Sequence, residues 1–353
     1  MLYYFDVCVF RRILMIINAT AYPRAALIGN PSDGYFGKTI AFVFNNYRAS
    51  VQLYETPELT ILPAVRDTNV FADLETLCSE VGKRGYYGGI RLMKATARQF
   101  YLCCIKKGIS LPRRNFTIRY DSDIPNRLGL AGSSAIITAA LRAICQFYEV
   151  SFPLPEFANM VLAVERDELS IPAGLQDRVA QTYNHPVYMD FERNHMEKYN
   201  YGIYEAVDIP DDLNLFVAYR TDLAEGSEIL HSRLRDDYNS GVPRVLDAMQ
   251  EWSELTVKMK EALQKHDHAK IPSLINRNFD LRYEVCAGSI SEKNLQMVQL
   301  ARKMGASAKF TGSGGAIIGS YDDENMFAEL RNELKKFQIE VIKPQIVREM
   351  VQA

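Results

Sequence analysis

Apolar positions in this chain recur at two spacings, and the alternation between them sketches the elements. Two short apolar runs, residues 15–28 and 40–54, flank the turn-rich segment Gly29-Asn-Pro-Ser-Asp-Gly34, a pattern that predicts strand, loop, strand. From Gly89 to Lys107 the residues Ile90, Met93, Ala97, Phe100, Tyr101 and Cys104 keep helical spacing. Phe116, Ile118 and Tyr120 then alternate with polar neighbours, as in a half-buried strand. A Pro/Gly turn, Pro125 to Gly132, opens into a helix with the apolar set Ile136, Ile137, Ala140, Leu141, Ile144 and Phe147, and a second helix is expected from about Pro155 to Leu169. Leu213 to Tyr219 reads as a buried strand. Beyond it lie a long amphipathic helix (Val245, Met249, Trp252, Leu255, Met259, Leu263) and another near Leu295 to Met304. Strand signals at Lys309 to Thr311 and Ala316 to Gly319, a helix from about Glu324 to Lys336 and a strand at Ile339 to Ile342 complete the pattern. Helices and strands are segregated more than alternated, which predicts an α+β fold. A boundary near residue 210 would divide it into lobes 15–210 and 211–353.

Composition narrows the class. With 353 residues, 48% hydrophobic and 24% charged, the chain is an ordinary globular protein with room for two lobes. Lys and Arg number 41 against 43 acidic residues, so charge gives no reason to expect nucleic acid or a membrane surface as partner. The six cysteines include no Cys-x-x-Cys pair, and Cys103-Cys104 are adjacent in a helical pattern; together these predict a reduced, cytoplasmic protein. The apolar stretch Met1 to Ile17 is broken by Asp6 and Arg11-Arg12, too short to span a bilayer and without the basic start of a signal peptide.

Three segments carry candidate chemistry. In the first, Pro125 leads to Gly129, Leu130, Ala131, Gly132, Ser133, Ser134 and Ala135. Glycines let backbone approach a ligand, and a helix start with free N–H groups attracts anions, so this reads as a phosphate cradle with a hydroxyl for Mg²⁺. Its plainer reading is a glycine turn with a serine cap. In the second, Glu165 lies in a helix and Asp177 follows the break at Pro172 and Gly174, which could divide labour between metal binding and proton acceptance. Taken alone, those two are ordinary surface charge. The third is the glycine loop Gly312, Ser313, Gly314, Gly315 between apparent strands. Two decoys fall away. Gly37-Lys38-Thr39 mimics the end of a Walker A motif, but Ser32 stands where that motif needs glycine. The loop at 312–315 is not a dinucleotide fingerprint, because Ile317 occupies the last glycine position.

Taken together, Pro-x3-Gly-Leu-x-Gly-Ser-Ser-Ala, the later Glu and Gly-Leu-Gln-Asp, and Thr-Gly-Ser-Gly-Gly-Ala resemble the motifs of the GHMP small-molecule kinases. The segment Pro23-Arg24 to Asp33 resembles that family's N-terminal motif, and the order fits from about residue 18 to 345. Phrases such as residues 29–39, 173–181, 188–191 and 276–282 look closest to the plant glucuronokinase branch, while Asn30-Pro31 departs from the Glu-His usual in galactokinases. The resemblance implies a two-lobed α+β fold with the active site in the cleft between lobes. It implies ATP on the Gly129–Ala135 loop and Mg²⁺ held by Ser134 (with Ser133 as a possible helper) and Glu165. Asp177 would take the proton of the sugar hydroxyl, with Arg24 favouring the deprotonated oxygen. Asn30, Asp33, Lys38 and Gly312 to Gly315 would contact substrate.

The implied reaction transfers the γ-phosphoryl of ATP to the anomeric hydroxyl of a small sugar acid, D-glucuronate. Other readings remain open: a kinase for a heptose phosphate, fucose, arabinose or galactose, or a sugar sensor on the same fold that has lost catalysis. A uronate requires a cation for its carboxylate, and the order of preference is Arg282, Lys38, Arg277.

Overall fold

A computed structural model describes residues 15–63, 89–126, 128–222 and 228–350. Cys8, Cys78, Arg127 of the phosphate-loop motif and residues 1–14 lie outside the described residues. In chain order the first half contains β1 (Ile16–Ala21), β2 (Arg24–Ile28), a 3₁₀ turn (Ser32–Tyr35), β3 (Lys38–Val43), β4 (Ala49–Thr56), β5 (Thr60–Ile61), α1 (Gly89–Lys106), β6 (Asn115–Ser122), α2 (Gly132–Tyr148), α3 (Leu154–Ala163), α4 (Leu175–Tyr183), β7 (Val187–Asp190), α5 (Arg193–Tyr199) and β8 (Ile203–Ala206). The second half contains β9 (Leu215–Arg220), α6 (Glu228–Asn239), α7 (Pro243–Gln264), α8 (Ile271–Cys286), α9 (Glu292–Lys303), β10 (Lys309–Phe310), β11 (Ala316–Ser320), α10 (Glu324–Lys335) and β12 (Ile339–Ile342).

Three four-stranded sheets result, in the orders β1-β4-β6-β5, β2-β3-β7-β8 and β10-β11-β9-β12. The first two draw their strands from before residue 210 and the third from after it. Each of the two long apolar runs is cut in two. Pro23, which has no N–H to give a ladder, separates β1 from β2, and the turn at Asn45-Asn46 separates β3 from β4. Alternation then sets the register: Leu53 pairs with both Ile17 and Ile118, so one apolar row crosses three strands. Helix α2 packs on β1 and β4 and covers that row.

The halves share a core. In β9, Leu215, Val217 and Tyr219 join the main cluster together with Ile17, Leu53 and Trp252. Phe216 and Ala218, on the opposite face, pack with Met297, Ala301, Leu330 and Leu334 of α9 and α10. The long amphipathic helix is α7, and every member of its predicted stripe is buried. It lies against β3 and α8. Helix α8, which the sequence suggests only as a motif phrase, is clamped there by Trp252 Nε1, which donates to the carbonyl of Asn278 at 3.0 Å.

One helix departs from expectation in a way that matters for the site. The α3 pattern was expected to run to Leu169, but α-helical bonding stops at Ala163 and a π turn, Val164–Glu168, follows. Such wide turns re-aim side chains within a helix.

Trp252→Phe keeps an aromatic ring but loses the second bond to the Asn278 carbonyl and part of the buried volume, and should cost about 1–3 kcal/mol of stability. Chemical denaturation followed by circular dichroism measures it, since Trp252 is the chain's single tryptophan and fluorescence is lost with it.

Candidate active site

Two backbone loops meet first. The turn before α2 carries Gly129 at φ +66° and Ala131 at φ +61°, and no side chain caps the helix that follows, so its first N–H groups are open to an anion. Gln181 Nε2 fixes the turn by donating to the Ala131 carbonyl at 2.8 Å and to that of Tyr22 at 3.0 Å. The Gly312–Gly315 loop rests directly on it. A Cβ on Gly129 would stand 2.6 Å from the Gly314 carbonyl oxygen, closer than any side chain tolerates. Arg282 secures the loop from behind: its two terminal nitrogens donate to the carbonyls of Gly312 at 2.7 Å and Ser313 at 2.8 Å. Burial pushes its pKa down to about 10. Arg282 is therefore an interior brace, 3% exposed, and pairs with neither Asp280 nor Glu284.

A chain of ion pairs runs beside these loops. Arg24, at the start of β2, is almost fully buried; it donates to the Thr311 carbonyl and pairs with Asp177 at 2.5 Å. Asp177, in the first turn of α4, also contacts Arg178 at 3.1 Å. Arg178 grips Glu165 Oε2 with two nitrogens, one at 2.7 Å. Glu165 Oε1 in turn accepts from Ser133 at 2.7 Å. Ser133 is thus the hydroxyl at Glu165. Ser134, expected there, is fully buried and turns back to the Ala131 carbonyl at 3.1 Å. The Ser133 hydroxyl and Glu165 Oε1 are adjacent hard oxygen donors beside the open helix start, a donor set that suits Mg²⁺.

The first loop completes the arrangement. Asn278 holds its start, accepting from Gly29 N at 2.6 Å and donating to Asn30 O at 3.1 Å. Asn30 donates to the carbonyls of Phe310 and Gly312, both at 3.4 Å. Asp33 sits opposite α4: its Oδ2 is 3.2 Å from where a Cβ on Gly174 would stand. Burial, then the charge of Asp177, raise its pKa from 3.8 to about 7, with Arg24 pulling the other way. Arg24 Nε, Asn30 Oδ1, Tyr35 OH, Gln176 Nε2 and Arg282 Nε are buried without a hydrogen-bond partner among the described residues.

Arg24, Asp33, Glu165, Asp177, Ser133 and the two glycine loops therefore converge. Lys38 does not join them; it pairs with Asp190 across β3 and β7. Arg277 is held by Glu251 and Glu284. Pro125 is half-buried, between the end of β6 and the turn. Sequence reasoning missed Arg178, Gln181, Asn278 and Lys309. The buried Lys309 amine donates to the carbonyls of Ala26 at 2.6 Å and Phe310 at 2.9 Å, and burial with the nearby Arg282 and Arg24 cations drives its pKa well below the usual value. Arg178 and Gln181 lie in the family-like phrase 173–181 and Asn278 in 276–282, which was the available signal; Lys309 had none.

Comparison with known proteins assigns the family. Residues 91–185 match the GHMP kinases N terminal domain and residues 259–340 the GHMP kinases C terminal domain. The chain is 41% identical to "Probable glucuronokinase 2" of Arabidopsis thaliana, over 86% of this chain and 84% of that protein. It is 39% identical to "Glucuronokinase 1" of the same plant, over the same shares. Among solved structures, Lactococcus lactis galactokinase complexed with galactose superposes with a TM-score of 0.75 at 13% identity, covering 96% of this chain and 95% of that one. The chain belongs to the GHMP kinase family, with its α+β fold. It is a sugar kinase, a phosphotransferase with an alcohol group as acceptor. No helix among the described residues is long and apolar enough to cross a membrane.

The raised pKa of Asp33 has a sign that can be checked. Between pH 3.8 and about 7 the folded chain keeps a proton that the unfolded chain releases, so stability falls as pH rises through that window. Asp33→Asn has no such proton. Its melting temperature relative to wild type should therefore be clearly higher at pH 8 than at pH 5, as measured by thermal scans without ligand.

Proposed function

We propose that the chain is an ATP- and Mg²⁺-dependent kinase that phosphorylates the anomeric hydroxyl of D-glucuronate, giving the 1-phosphate. The observation that carries this reading is the 41% identity to a glucuronokinase over most of both chains. Both Glu165 and Asp177 are present and bound into the site, which favours an enzyme over a sugar sensor that has lost catalysis. The free thiols of Cys103, Cys104 and Cys145 suit a cytoplasmic setting.

In this reading the open N–H groups of α2 and the backbone of Gly129–Gly132 cradle the ATP phosphates. Ser133 and Glu165 would hold Mg²⁺, which when bound would neutralise phosphate charge. Asp177 accepts the proton of the attacking hydroxyl, and Arg24, already on its carboxylate, stabilises negative charge on that oxygen. Phosphoryl transfer depends mostly on positioning and electrostatics, so Asp177 acts as much by orienting the hydroxyl as by basicity. Asp33 and Asn30 bind sugar hydroxyls. The Gly312–Gly315 loop closes one side, and Arg282 and Lys309 hold it in register with β2.

A panel of sugars assayed for ATP consumption, with the product identified by phosphorus NMR, tests the substrate. D-glucuronate should give the highest kcat/KM; preference for a neutral sugar or a heptose phosphate overturns the uronate assignment and leaves the kinase standing. Asp177→Asn should keep nucleotide affinity and lose about 10²–10⁴-fold in kcat. Retention of half the wild-type rate would make Asp177 structural. Ser133→Ala should raise the Mg²⁺ requirement, whereas Ser134→Ala should leave it unchanged and cost only about 1 kcal/mol of stability. A titration of rate against Mg²⁺ separates the two serines.

A further inference from the structure

A sugar acid needs a cation at its carboxylate, and the cations beside the site are almost all engaged. Arg24 is on Asp177, Arg178 on Glu165, Lys38 on Asp190, and Arg282 and Lys309 on backbone carbonyls. Arg193 lies over the Phe36 ring at 4.0 Å and shares Glu197 at 3.8 Å.

Arg235 differs. It is exposed and forms no ion pair or hydrogen bond with any described residue. Helix α6 carries it to the first loop. Leu234 is buried beneath, the Tyr238 ring packs 4.9 Å from that of Tyr35, and Tyr238 OH donates to the Tyr35 carbonyl at 3.4 Å. That docking leaves the Arg235 guanidinium over the Tyr35 ring, 5.3 Å from its centroid. One of its terminal nitrogens is 3.6 Å from where a Cβ on Gly34 would stand. Gly34 directly follows Asp33, so the free cation stands at the rim of the loop that carries the proposed sugar contact.

Stacking suits this task. A cation held on a ring face is oriented through its π surface and keeps its N–H edge for a ligand. Two parallel N–H groups match the two oxygens of a carboxylate, a match the hydroxymethyl group of a neutral hexose cannot make. We infer that Arg235 is the specificity-determining residue that binds the carboxylate of the sugar acid, with Tyr35 as its platform. The inference rests on the glucuronate reading given above.

The test compares wild type, Arg235→Met and Arg235→Lys on D-glucuronate and D-glucose, with glucuronate binding followed by calorimetry in the absence of nucleotide. Methionine keeps an apolar stem on Tyr35 and removes the charge. The ratio of kcat/KM for glucuronate to that for glucose should fall about 100-fold in Arg235→Met, mainly through KM. Calorimetric affinity should weaken in step, and Arg235→Lys should fall between the two. If wild type prefers glucuronate and Arg235→Met leaves the ratio unchanged, the inference fails while the function stands. Equal losses on both sugars also overturn it, since Arg235 would then act only through the loop. A wild-type enzyme that does not phosphorylate glucuronate removes the function and the inference together.

Discussion

The run of paired charges from Arg24 through Asp177 and Arg178 to Glu165 is the constraint on which the site depends. Arg24, Arg178 and Glu165 are nearly fully buried and Asp177 is 20% exposed, so each must find its partner inside the protein. Four short segments meet those terms together: the start of β2, the π turn after α3, the first turn of α4 and, through Ser133, the start of α2. Removing one member leaves a buried charge uncompensated, which penalises every alternative arrangement of these segments. The same chain sets the field at the site. It holds one carboxylate near the phosphate cradle and another near the first loop, each backed by a guanidinium.

Contact between the two glycine loops is the second constraint, and it is steric. Gly129 meets the carbonyl of Gly314 with no space for a Cβ, and Gly314 itself lies at φ +154°. Backbone against backbone brings the third sheet onto the start of α2 at a separation no side chain would allow. Thr311 adds a hydrogen bond to the Gly129 carbonyl at 3.3 Å, and Arg24 ties the Thr311 carbonyl to Asp177. The ion chain and the loop contact are thus joined at Arg24, so residues from both halves of the chain define a single geometry.

Much of this was legible in the sequence, for physical reasons. Elements with sustained periodicity, such as α7, α2 and the strand around Ile118, declared themselves because a buried face imposes its spacing directly on the residues. The glycine loops were visible because only glycine fits at Gly129, Gly314 and Gly315. Pairings were not legible. Ser133 and Ser134 are neighbours on a helix that point about 100° apart, and no local pattern says which one faces Glu165. Arg282 carried a family-like phrase that suggested substrate, yet it is spent on two loop carbonyls, and Lys38 is spent on Asp190 of the neighbouring strand β7. Each of those partners is far away in sequence. The π turn was hidden for a related reason, since Val164 continues an apolar pattern that a regular helix would also satisfy.

Asp33 shows how these constraints bear on the chemistry. Two carboxylates, Asp33 and Asp177, face one space and share the Arg24 and Arg178 cations, and the protein relieves the repulsion by letting Asp33 hold a proton up to about neutral pH. A protonated carboxyl can donate as well as accept, so near pH 7 Asp33 offers a sugar hydroxyl either role. It also removes one negative charge from a pocket proposed to receive phosphates and a carboxylate. Fully ionised, the pair would oppose both ligands at close range in a poorly solvated space. Asp177 alone stays against a guanidinium on each side, where a negative charge on the attacking oxygen is also best tolerated. Unequal treatment of two similar side chains, arising from burial and from which one Arg24 touches, is what lets a single pocket hold an anionic sugar and still favour transfer to its hydroxyl.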